Sequence, residues 1–105
     1  MAWIYLIMAG LFEIGWPVGF KLAQKGSNMV LGISVAVICM AMSGFLLYLA
    51  QMSIPLGTAY AVWTGIGAAG TFVIGVLVFS DPTSFMRYIG VLLILSGVIT
   101  LKLAT

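Results

Sequence analysis

The apolar positions along the chain fall into four long runs that short polar or helix-breaking stretches separate. The runs cover about residues 2–22, 29–51, 57–79 and 84–103. The three breaks are marked by Gly26-Ser27-Asn28, by Pro55 with Gly57, and by Asp81-Pro82, because proline and glycine interrupt helices. Within each run the apolar residues are continuous, whereas half-buried strands alternate. The pattern predicts four helices in a single domain of residues 1–105.

The length of these runs indicates what surrounds them. About 20 residues at ~1.5 Å per residue cross a hydrocarbon layer of roughly 30 Å. Between Arg87 and Lys102 the fourth run is short, but long basic side chains can reach the two interfaces. In lipid, only helices and closed barrels satisfy all their backbone polar groups. We predict an all-α membrane protein with four transmembrane helices, located in the cytoplasmic (inner) membrane.

Composition supports the bilayer as the solvent and excludes several classes of function. Hydrophobic residues make up 64% and charged residues 6% of the chain, against about a quarter charged in soluble domains. A net charge of +2 is too small for a nucleic-acid partner. The chain has no histidine and a single cysteine, Cys39, so we predict no disulfide, metal site or cofactor. The first run carries an acid and lacks a basic flank, which indicates a mature helix rather than a cleaved signal.

Basic residues favour one orientation only slightly. Lys21, Lys25 and Arg87 fall on the side of the first and third loops, and Lys102 falls on the side of the termini. Cytoplasmic loops carry the excess of lysine and arginine. The bias would place the first and third loops in the cytoplasm, but it is small. Insertion in both orientations therefore stays open.

Glu13 is the one charged residue near the middle of a predicted span. A charge at that depth costs at least about 2.5 kcal/mol, and such residues usually serve ions, protons or substrates. The alternative is a protonated acid that only bonds a neighbouring helix. At about 100° per residue, its helix face is shared by Leu6, Ala9, Gly10, Trp16, Pro17 and Phe20. Gly15 and Gly19 lie on the opposite face, where small residues let another helix approach.

Pro17 stands four residues after Glu13 and cannot donate to its carbonyl oxygen. We predict a kink with a free backbone acceptor beside the acid, although a kink that serves packing alone is equally compatible. The third run has a stripe of aromatic, hydroxyl and glycine residues at helical spacing: Tyr60, Trp63, Thr64, Gly67 and Thr71. Hydroxyls and glycines on that face favour a polar cavity over interfacial anchoring. Ser43 is the mid-depth polar residue of the second run.

Gly90 and Gly97 lie on one face of the fourth helix. They permit a close contact with another helix, either within the chain or in a dimer. A single chain with four helices and one acid is too small to form a good transport pathway. A dimer would bring two Glu13 side chains to one cavity.

Four features of the chain form a specific combination: its length, its four predicted helices, a lone glutamate in the first helix and the stretch GTAYAVWTGIGA at 57–68. In this combination the chain resembles the small multidrug resistance transporters over essentially its whole length. That stretch, Trp16 and the LKL ending at 101–103 are most similar to the guanidinium-exporter subtype. The resemblance implies an antiparallel homodimer that exchanges small organic cations for protons. The run EIGWPVGFK departs from the family pattern with Gly15, Pro17 and Gly19, which bears on substrate choice and on pairing with a second copy.

Residue roles follow from the resemblance. It implies that Glu13 binds protons and substrate and that Gly10, Trp16, Ser43, Tyr60 and Trp63 line the site. Helix flexibility would come from the kink at Pro17 and from Gly65 and Gly67. The dimer contact would be formed by Gly90 and Gly97. Alternatives are an exporter of quaternary ammonium and other drug cations, a subunit of a heterodimeric exporter, and a membrane subunit that does not transport. No second acid, histidine or activated nucleophile lies at membrane depth, which argues against an enzyme.

Overall fold

The computed structural model describes residues 1–26 and 28–104 and contains four helices. They are α1 (Ala2–Gln24), α2 (Met29–Gln51), α3 (Leu56–Phe79) and α4 (Phe85–Ala104). All four are long and apolar enough to cross a membrane, which confirms the predicted all-α membrane fold. Helix α1 ends two residues later than predicted. Ser27 of the predicted first turn lies outside the described residues.

Local hydrogen bonds set the helix ends. The side-chain oxygen of Asn28 accepts from the N–H of Leu31 at 3.0 Å at the start of α2. Ser84 accepts in the same way from the N–H of Arg87 at 3.2 Å before α4. Both side chains satisfy N–H groups that the first helical turn leaves without partners. Helix α3 ends where Ser80 adopts the left-handed conformation with a φ of 56°.

Small residues bring α1 and α2 into close contact. A Cβ added to Gly19 would lie 2.7 Å from the carbonyl oxygen of Gly32 and 3.1 Å from the Cβ of Ala36. A Cβ added to Gly15 would lie 2.7 Å from the Cβ of Cys39. Without side chains at these positions the two helices approach backbone to backbone. The glycine face opposite Glu13 therefore packs against α2.

A small apolar core joins the beginning of α1, the end of α2 and the beginning of α3. Its members are the buried residues Leu6, Ala50, Ile54, Ala59 and Val62. Further along α1, Gly10 is buried, and a Cβ there would lie 2.7 Å from Ile66 of α3. These contacts hold α1 between α2 and α3.

Helix α4 packs along α3 and presents most of its surface outwards. A Cβ added to Gly65 of α3 would lie 2.6 Å from Val98 of α4. None of the residues Phe85–Ala104 is buried. In the described part of the chain, a Cβ added to Gly90 or Gly97 would meet no atom within 4 Å beyond the backbone of α4 itself. Packing within the chain thus does not account for these two glycines.

Candidate functional site

Glu13 lies halfway along α1 and is partly buried against α3. A Cβ added to Gly67 would lie 2.6 Å from the Cγ of Glu13. The absent side chain of this buried glycine leaves the space that the acid occupies. Gly10, a predicted site residue, packs against Ile66 of α3.

Ser43 of α2 links three helices beside Glu13. Its hydroxyl donates to the carbonyl oxygen of Ala9 at 2.8 Å and accepts from the indole N–H of Trp63 at 2.7 Å. The same oxygen lies 3.5 Å from Oε1 of Glu13. Serine has one proton to donate, so Ser43 can donate to the Glu13 carboxylate only by releasing the Ala9 carbonyl. Ser43 therefore positions Trp63 and can also turn towards the acid.

Trp63 and Tyr60 form an aromatic pair on α3. Their ring centroids lie 5.4 Å apart with a tilt of 53°, a favourable arrangement for aromatic rings. Trp63 is partly buried, whereas 56% of the Tyr60 surface is exposed. The bond to Ser43 holds Trp63 on the side of Glu13, and Tyr60 lies beyond it.

An open cavity of about 290 Å³ lies between α1 and α3 on the exposed side of Glu13. Its lining residues are Glu13, Trp16, Pro17, Thr64, Gly67, Ala68 and Thr71. It thus combines one carboxylate, one indole and two hydroxyls. Thr64 and Thr71 belong to the predicted polar stripe but had no place among the predicted site residues. Their helical spacing from Gly67 was the signal that pointed to them.

Gly65 and Pro17 both lie inside continuous helices. Gly65 is buried inside the continuous helix α3, where its missing side chain admits Val98. Helix α1 continues past Pro17 to Gln24, and Pro17 lines the cavity with Glu13. Because proline has no N–H, it offers no donor to the Glu13 carbonyl. The flexibility predicted for these positions stays a prediction.

The arrangement suits binding of a cation. Glu13 supplies a negative charge, Trp16 an aromatic face, and the two threonines hydrogen-bond acceptors in a half-enclosed space. No group of three or more metal-ligating side chains occurs among residues 1–26 and 28–104.

Comparisons with known proteins identify the family of the chain. The sequence model of the family described as "Small Multidrug Resistance protein" matches residues 1–94. The chain belongs to the small multidrug resistance family. This confirms the resemblance and the assignment as a multi-pass membrane protein.

Relatives within the small multidrug resistance family match the chain along its entire length. A protein of Yersinia pestis named "Guanidinium exporter" is 47% identical over 105 residues and covers all of both chains. Proteins with the same name from Escherichia coli K12 and Proteus vulgaris are 43% and 41% identical. All of this chain is covered in both cases, with 99% of the Escherichia coli protein and 100% of the Proteus vulgaris protein. These names describe transporters rather than enzymes.

Proposed function

We propose that this small multidrug resistance protein exports guanidinium and small related cations in exchange for protons, with Glu13 as the shared binding group. The observation that carries the proposal is the position of the Glu13 carboxylate in the α1–α3 cavity, 3.5 Å from the Ser43 hydroxyl. The names of the full-length relatives support guanidinium as the substrate.

Guanidinium matches the chemistry of the cavity. A planar guanidinium donates two parallel hydrogen bonds to one carboxylate. Its remaining N–H groups need acceptors, and the hydroxyls of Thr64 and Thr71 line the same space. The indole of Trp16 offers a face on which a cation is stabilised. A quaternary ammonium ion has no N–H to donate and would use only the charge and the aromatic face.

Coupling to protons follows from the use of one carboxylate. One carboxylate holds either a proton or a cation, because a cation pairs only with the ionised form. Protons and substrate therefore compete for Glu13, and each leaves as the other binds. When the site faces the two sides of the membrane in turn, an inward proton gradient drives the cation outwards.

The working unit that we propose is a homodimer of oppositely inserted subunits joined through α4. The open surfaces at Gly90 and Gly97 support this contact, since no other helix among residues 1–26 and 28–104 packs on them. The weak charge bias between the loops is compatible with insertion in both orientations.

Cysteine cross-linking tests the dimer. In a Cys39→Ala background, Gly90→Cys and Gly97→Cys each leave one cysteine per chain, so any disulfide joins two chains. An antiparallel α4 pair should cross-link position 90 of one copy to position 97 of the other when the two variants are co-expressed. Cross-links confined to 90–90 and 97–97 pairs would show parallel packing, and none at all would place the dimer contact elsewhere.

Substrate choice is tested with the purified protein in vesicles that carry a pH gradient. We expect guanidinium to be transported against its own gradient and tetraethylammonium to be transported at least about ten-fold more slowly, the factor that 1.4 kcal/mol represents. The opposite preference would favour the exporter of quaternary ammonium compounds. Absence of transport by the isolated protein, with both cations, would favour a subunit that requires a different partner chain.

A further inference from the structure

A second cavity continues the groove between α1 and α3 towards the loops. It measures about 180 Å³ and is lined by Pro17, Val18, Lys21, Thr71, Gly75, Phe79 and Asp81. Pro17 and Thr71 also line the Glu13 cavity, so the two cavities meet at these residues. The sequence has two acidic side chains, Glu13 and Asp81, and both line this groove.

Asp81 is held in the groove by α3. A Cβ added to the buried Gly75 would collide with the Asp81 carboxylate, with its Cγ 3.2 Å away. The backbone N–H of Asp81 also donates to the Gly75 carbonyl oxygen at 3.0 Å. The left-handed conformation of Ser80 turns the chain back so that both contacts are made. Asp81 thus packs over Gly75 much as Glu13 packs over Gly67.

The spacing of the two acids suits successive binding of one cation. Gly67 and Gly75 are eight residues apart on α3, which corresponds to ~12 Å along the helix. Thr71 lies between them, and its hydroxyl can accept a hydrogen bond from a passing donor.

We propose that Asp81 forms an outer binding station, at which a small organic cation is held before it reaches Glu13. The station rests on the proposed function, because it serves the same cations. Lys21 lines the same cavity and offsets the charge of Asp81. The positive charge of Lys21 keeps the binding of a cation at Asp81 weak. Weak binding is needed because a site on a transport path must release what it binds. Asp81 therefore raises the affinity of the station for a cation, and Lys21 lowers it.

Two variants with opposite expected effects test the station. Asp81→Asn leaves Lys21 alone in the cavity and should raise the KM for guanidinium about two- to five-fold, the range of a solvent-exposed ion pair. Lys21→Gln leaves Asp81 alone and should lower the KM by a similar factor. Both shifts should shrink at high ionic strength, with kcat nearly unchanged, because salt screens exposed charges.

Matched controls separate the station from general surface charge. Arg87→Gln removes a charge at the same end of the molecule but outside the cavity lining, and should leave the KM unchanged. Asp81→Glu retains the carboxylate and should shift the KM less than Asp81→Asn does. Should Asp81→Asn fail to fold, Lys21→Gln tests the station by itself.

The proposal is overturned if neither variant shifts the KM, if both shift it in the same direction, or if Arg87→Gln shifts it as much as Lys21→Gln. A fall in kcat at constant KM in Asp81→Asn would also overturn it, since the residue would then act on the conformational change. If the unmodified protein transports tetraethylammonium but not guanidinium, guanidinium export fails. The same series with tetraethylammonium then tests the station.

Discussion

Replacement of Glu13 by glutamine is expected to abolish proton-coupled export. Glutamine keeps the size of the side chain and its place over Gly67, but it binds neither a proton nor a cation at neutral pH. We expect the initial rate of guanidinium transport under a pH gradient to fall at least about 30-fold, since removing one charge from a close charge pair costs roughly 2 kcal/mol or more.

The matched control is Glu13→Asp, which retains the carboxylate on a side chain shorter by one methylene. It should keep gradient-driven transport, at a reduced rate because the acid moves away from Ser43. Solid-supported membrane currents or vesicle uptake measure both variants. If Glu13→Gln still moves guanidinium against its gradient at the expense of protons, Glu13 is not the shared site.

The second large effect is expected at Gly19, where α1 and α2 meet backbone to backbone. A Cβ in Gly19→Ala would lie 2.7 Å from the Gly32 carbonyl oxygen and 2.9 Å from the Ala36 nitrogen. Backbone atoms cannot rotate away as a flexible side chain can, so the helices must separate. We expect a loss of about 2–3 kcal/mol in the free energy of unfolding, at the upper end of what overpacking costs.

Gly44→Ala is the control for this prediction. Gly44 lies inside α2, but beyond the backbone of its own helix a Cβ there would meet no atom of residues 1–26 and 28–104 within 4 Å. Its effect on stability should stay below about 1 kcal/mol, the difference in helix propensity between glycine and alanine. Unfolding of the purified variants in mixed micelles measures both. Equal stabilities for Gly19→Ala and Gly44→Ala would show that the α1–α2 contact tolerates an added methyl group.

Some of the candidate site could be predicted from the sequence because its residues repeat at helical spacing. Thr64, Gly67 and Thr71 share one face of α3 by spacing alone, and the structure places that face opposite Glu13. Trp16 and Pro17 share the Glu13 face of α1 for the same reason. Periodicity orders residues around one helix, and two such faces are enough to predict that a cavity forms where they meet.

Other residues could not be placed by periodicity. Gly10 and Gly67 are both glycines on faces near the acid, yet one admits Ile66 and the other admits Glu13. Which of the two makes room for the carboxylate depends on the rotation of α3 against α1. That rotation results from packing between helices, on which the spacing within either helix carries no information. Ser43 is a similar case, because its bonds to Ala9 and Trp63 join three helices.

By itself, the sequence determined that this protein is a bundle of four apolar helices with one acid at mid-depth, and it pointed to the family. These properties follow from the length, hydropathy and composition of continuous segments. Only the tertiary structure decided that the acid lies over Gly67, that Ser43 holds Trp63 while lying 3.5 Å from the acid, and that Asp81 returns to the same groove over Gly75. The physical reason is that these are contacts between segments far apart in the sequence. Such contacts depend on which helices approach each other closely, and small residues allow that approach only in the folded chain.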